Sequence, residues 1–107
     1  MTSLRKQLIA RLAELGVEEQ PVPGRDDGFA GLSYRGTSFA HFHHDEELDL
    51  HLTRSVIARE GLVHPSNSVR HPKRSKTSHW IELPLKTVPD LDHVTRLVKL
   101  TIANMTP

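Results

Sequence analysis

The 107-residue chain carries 14 Lys and Arg against 13 Asp and Glu, a formal net charge of +1, with eight histidines beside them. So small a net charge gives no global argument for nucleic acid or membrane, although the histidines, titrating near pH ~6.5, make the charge strongly pH-dependent. The absence of cysteine excludes disulfides, a thiol nucleophile and thiolate zinc sites, and no stretch approaches the ~20 apolar residues of a membrane span.

At this length one domain is expected, spanning residues 1–107. The start of the chain shows no apolar core of a secretory signal, and nothing addresses it elsewhere, so a cytoplasmic location is the expectation.

Residues 3–15 read as a helix. Leu4, Leu8, Leu12 and Leu15 make one apolar stripe with Ile9 beside it, Ser3 is placed to cap the start, and Gly16 follows the end. Residues 20–28, with two prolines, two glycines and the Asp26-Asp27 pair, read as a loop or in part an edge segment. Phe29 to Tyr34 is a short strand, Arg35-Gly36 a tight turn, and Thr37 to Phe42 the next strand. Leu48, Leu50 and Leu52 then alternate with Glu47, Asp49, His51 and Thr53, which predicts a strand with leucines inward and the polar set toward water.

Thr53 is expected to cap a short helix, Arg54 to Glu60, stopped by Gly61. Pro65 to Ser78 reads as a polar loop and His79 to Leu83 as a strand, with Pro84 at its end or on an edge. Leu91, Val94, Val98, Ile102 and Met105 stripe a last helix over residues 90–105, with Asp90 as its cap. Consecutive strands with short turns favour an antiparallel sheet. Two helices with one apolar stripe each favour covering one of its faces, an α+β two-layer sandwich.

The two strands around residues 43–47 form a hairpin whose register decides its chemistry. Pairing Phe42 with Leu48 and Ala40 with Leu50 keeps the apolar sets together. It sets His41 opposite Asp49, His43 opposite Glu47 and Phe39 opposite His51. A slip by one would bury two imidazoles against leucines. In the favoured register His41, His43, Asp49 and His51 can meet one divalent metal, or act as a histidine-based acid–base site. Zinc accepts such mixtures of nitrogen and oxygen ligands. The competing reading is a hydrated, salt-bridged sheet surface.

A second cluster is basic. Arg70, Lys73, Arg74 and Lys76 can contact phosphates, and Trp80 beside them can stack on a base, which suits nucleic acid or another anionic partner. The competing reading is a solvated loop followed by a core tryptophan. No Gly-x-Ser-x-Gly elbow or glycine-rich phosphate loop occurs, so nothing supports nucleophilic catalysis, and a domain without evident catalysis is favoured over an enzyme. The composite expectation is a small binding or accessory module acting through the basic loop, with the metal or acid–base hairpin as the alternative. A third reading is a protein-interaction domain using an open sheet edge.

The run Gly36-Thr-Ser-Phe39-Ala-His41-Phe-His43, leading into Leu48-Asp49-Leu50-x-Leu52, joins with His79-Trp80-Ile81-Glu82-Leu83 and the helix from Asp90 to Met105. Together these resemble the small bacterial luciferase domain family, over about residues 30–105. The resemblance implies a Phe-x-His-x-His strand, an acidic-leucine strand, a Trp-containing strand and a closing helix. It does not imply light emission, because no flavin or adenylate site accompanies it. Residues 44–46 replace a glycine-containing hairpin tip, and the segment before Trp80 is basic. Arg74 to Leu83 has a more distant likeness to the MmcQ/YjbR group, which implies a helix-covered antiparallel sheet and adds to the nucleic-acid reading.

Overall fold

The computed structural model describes residues 3–25, 28–63 and 78–105. Helix α1 (Leu4–Ala13) leads into strand β1 (Val17–Pro21), then β2 (Ala30–Tyr34), β3 (Thr37–His44) and β4 (Glu47–His51). Helix α2 (Arg54–Arg59), β5 (Trp80–Pro84) and helix α3 (Val88–Met105) complete the order. The five strands form one sheet in the order β1-β2-β3-β4-β5, every neighbouring pair antiparallel. This is the α+β architecture expected from the pattern, an antiparallel sheet with N- and C-terminal helices.

Period-two alternation assigns the two faces. Leu48 and Leu50 of β4 pair with Leu83 and Ile81 of β5 and with Phe42 and Ala40 of β3. All six are buried in one core with Leu8 and Leu12 of α1 and Leu91, Val94, Leu97 and Val98 of α3. Burying each such side chain is worth about 1.5–3 kcal/mol, so this layer holds the helices to the sheet. Arg35 and Gly36 both have positive φ (51° and 82°), the two-residue turn whose twist suits a hairpin between β2 and β3.

The helix ends are set by side chains. Ser3 accepts the Lys6 N–H at 3.2 Å. Thr53 accepts the Val56 N–H at 3.4 Å, from an unusual φ of 74°. At α3 the expected cap moves. Thr87 accepts the Asp90 N–H at 3.2 Å, while the Asp90 carboxylate accepts the N–H groups of Lys86 and Thr87. Thr87 is therefore the cap and Asp90 its reciprocal partner one turn in, so the helix starts at Val88 rather than at residue 90.

The edge segment expected within residues 20–28 is the end of strand β1, which begins earlier, at Val17. Only Val17 of its five residues is buried, so it carries no alternation to read. Proline sits on both outer strands, as Pro21 of β1 and Pro84 of β5, where no ladder donor is missed. Among the described residues no helix is long and apolar enough to cross a membrane.

Candidate metal centre

The face of the sheet opposite the helices gathers the polar residues. Crossing it in register are Gln20 of β1, Gly31 of β2, His41 of β3, Asp49 of β4 and Glu82 of β5. The expected pairing of His41 with Asp49, Phe42 with Leu48 and Ala40 with Leu50 is the observed one. At the tip it differs. The register shifts between Phe42 and His44, and His44, not His43, stands opposite Glu47. This bulge leaves one extra residue on β3. The His43 ring still reaches Glu47, with Nδ1 against Oε1.

The larger correction concerns water. The polar set of β4 was expected to face solvent, yet Asp49 is 2% exposed, and its neighbours on the same face, His43 of β3 and Glu82 of β5, are 3% and 5% exposed. His41 remains 28% exposed. Strand alternation shows which residues share a face, but not what is packed over that face. Here rings crowd it. His41 stacks on Phe29 (centroids 5.3 Å apart) and meets His43 at 5.1 Å and Trp80 at 5.4 Å.

Three donor atoms converge in this setting. His41 Nε2 lies 3.5 Å from Asp49 Oδ2, and His43 Nε2 lies 4.0 Å from the same oxygen. The ligating atoms of His41, His43 and Asp49 all fall within 4.8 Å of one another. Ligands held at about 2.0–2.2 Å from one zinc stand roughly 3–3.5 Å apart. An ion would therefore need to draw the widest pair of these atoms together by up to roughly 1.5 Å.

Behind His43, Glu47 takes the other ring nitrogen, which turns Nε2 toward Asp49. A carboxylate on the far nitrogen is the usual second support of a metal-bound histidine. Burial raises the Glu47 pKa. Hydrogen bonds with Glu82 and His43, and the nearby imidazoles of His43 and His44, more than offset that and hold it below the ordinary value. His43, Glu47 and Glu82 form a second converging group that shares His43 with the first.

The fourth residue expected at the metal, His51, stands elsewhere on the face. Its ring stacks on His79 at 5.8 Å and meets the edge of Trp80 at 5.1 Å. Trp80 is half-buried between His41 and His51. Arg70, Lys73, Arg74 and Lys76 lie outside the described residues. Sequence reasoning missed Glu82. The signal was available, since Glu82 shares a strand face with Trp80, opposite the inward Ile81 and Leu83.

The hairpin is anchored from the first helix. The Arg5 guanidinium lies over the Phe42 ring at 4.2 Å, donates to the Gly28 carbonyl, and pairs with Asp45 (3.1 Å) and Glu19 (3.2 Å). Gly28 has φ +86° and passes so close to the hairpin that an added Cβ would sit 3.2 Å from the His44 Cα.

Comparison with known proteins gave no match among curated proteins and none among solved structures. The model of the luciferase domain family matches residues 36–101, from the β2–β3 turn into α3. The likeness to the MmcQ/YjbR group gains no support from that match. Well over half of the chain is covered, including both strands of the histidine hairpin, and the chain belongs to the luciferase domain family.

Proposed function

We propose that this domain binds one divalent transition metal ion through His41 Nε2, His43 Nε2 and Asp49 Oδ2. The observation that carries the reading is the nearly complete burial of Asp49 between two imidazoles whose nitrogens point at the same oxygen. A buried carboxylate is stabilised by nearby positive charge, and an ion at this point would add two. The Glu47 contact behind His43 fits the same role, because it presets the nitrogen that would bind. Two neutral imidazoles and one carboxylate suit zinc or iron better than calcium or magnesium, which favour oxygen ligands alone. The nucleic-acid reading through Arg70, Lys73, Arg74 and Lys76 rests on the sequence.

Zinc titration followed by the histidine ring signals in NMR tests the proposal. The His41 and His43 resonances should move together and saturate at one equivalent, and Asp49→Asn should abolish the response. If neither ring responds at equimolar zinc, the proposal is wrong.

A further inference from the structure

We propose that His79 is a proton-controlled latch on the start of helix α2: the neutral ring holds the first turn of the helix to the residue that opens into β5, and the protonated ring lets it go. The latch needs no ion at His41, His43 and Asp49, so it stands apart from the metal reading.

His79 takes three consecutive backbone N–H groups. Its carbonyl oxygen accepts those of Leu52 at 2.9 Å and Thr53 at 3.1 Å. Its ring Nδ1 accepts the N–H of Arg54, the first residue of α2, at 3.0 Å. The first N–H groups of a helix have no partner within it, so Arg54 depends on this ring. The two bonds to the carbonyl are indifferent to pH, but the third is not. A neutral imidazole accepts at one nitrogen and carries its proton on the other. His79 therefore bears its proton on Nε2, and a second proton arriving at Nδ1 would set one N–H against another.

The surroundings offer the charged ring no support. From β4 the His51 ring stacks on it, centroids 5.8 Å apart, and from α2 Arg54 brings a fixed cation. Trp80 follows it in β5, and Thr101 of α3 reaches the His51 carbonyl at 3.1 Å, but neither titrates in this range. The histidine ion pairs belong to His41, His43 and His44. Among the described residues no carboxylate pairs with His79.

The junction is also strained. Thr53 stands between the two kinds of bond with φ 74° and ψ 148°, a conformation that persists only where its surroundings hold it. Losing the Arg54 bond leaves that residue held from one side. Val56 and Ile57 remain buried in the core, so the release is confined to the first turn. Because the bond selects the neutral ring, its contribution is present above the histidine range, near pH ~6.5, and is lost as the pH falls through it.

The experiment is nitrogen-15 NMR on the full chain with chelator present, taken from about pH 7.5 to about pH 5.5, where roughly one ordinary histidine in ten stays neutral. Near neutrality the His79 ring should be the Nε2–H tautomer. On acidification the protection of the Arg54 amide, corrected for the intrinsic pH dependence of exchange, should fall about tenfold in step with that ring. The Leu52 amide, bound to the carbonyl, should keep its protection. His79→Asn offers an amide oxygen that does not titrate and should keep Arg54 protected throughout. His51→Phe retains a stacked ring without its proton and should leave the transition in place. An Nδ1–H tautomer, or Arg54 protection that ignores the His79 ring, would overturn the inference. So would a transition that survives His79→Asn or is abolished by His51→Phe. If the asparagine variant does not fold, the tautomer and the contrast between Leu52 and Arg54 decide the matter in the unaltered chain.

Discussion

Removing the Asp49 carboxylate while keeping its volume separates metal binding from folding. The three donors come from two strands, His41 and His43 from β3 and Asp49 from β4, so the unfolded chain does not hold them together. Metal affinity therefore adds to folding stability. At free metal a hundredfold above Kd the gain is about 2.7 kcal/mol for one site. Domains near this size shift by about 4–8 °C per kcal/mol, so zinc should raise the melting temperature by roughly 10–20 °C, provided the unfolded chain binds little of it. Asp49→Asn preserves shape and retains an oxygen, but it withdraws the only anionic ligand of the three. It should lose most of that increment. Thermal melts followed by circular dichroism, with zinc and with chelator, read the difference directly. An equal zinc-induced rise in Asp49→Asn and in the unaltered chain would show that the ion binds elsewhere, and the geometric argument would fail.

Other expectations test the frame around the site. Leu50 is fully buried beneath the hairpin, so Leu50→Ala should cost about 2–5 kcal/mol in urea unfolding. A loss below half a kilocalorie would contradict its place in the core. Thr53 holds φ 74° and ψ 148°, a conformation suited to glycine. Thr53→Gly gives up a cap worth only a few tenths of a kcal/mol relative to glycine and releases strain of about 1–3 kcal/mol, so the variant should be more stable, and a destabilised one would show the strain to be absent. Glu60 is held below its ordinary pKa, chiefly by its hydrogen bond with Arg96, 2.6 Å away. Its ionised form favours the folded state, so this contribution is present above pH 4.5 and is lost as the pH falls through the lowered value. The stability difference between the unaltered chain and Arg96→Ala should accordingly be small, favour the unaltered chain near neutrality and vanish in acid, as denaturant titrations at several pH values would show.

Much of this arrangement is legible in the residues because local rules dominate it. The leucines at 48, 50 and 52 fix the inward face, Arg35-Gly36 fixes a turn, and pairing leucine with Phe42 fixes the register that sets His41 against Asp49. The bulge at His43 escapes such reasoning because one additional residue near a turn leaves the alternation of either strand unchanged. β1 escapes because an edge strand with a single buried residue has no period. The burial of Asp49 and Glu82 depends on how β5 returns beside β4, a long-range event with no mark in the hairpin itself. The cap of α3 shifted because Thr87 and Asp90 satisfy one another, and either residue alone looks like a sufficient start.

Arg5 ties the first helix to the hairpin tip, to the Gly28 carbonyl and to β1, all at once. The recognisable family segment begins only at residue 36, so this brace is drawn from the part of the chain that the segment omits, as is the Phe29 ring that stacks on His41. Cut down to its family core, the protein would keep its histidines and its aspartate but present β3 as a bare border of unanswered amides and carbonyls. Such a piece would sooner zip to its own copies than stay apart, which makes the first 35 residues guardians of the histidine hairpin rather than a preface to it.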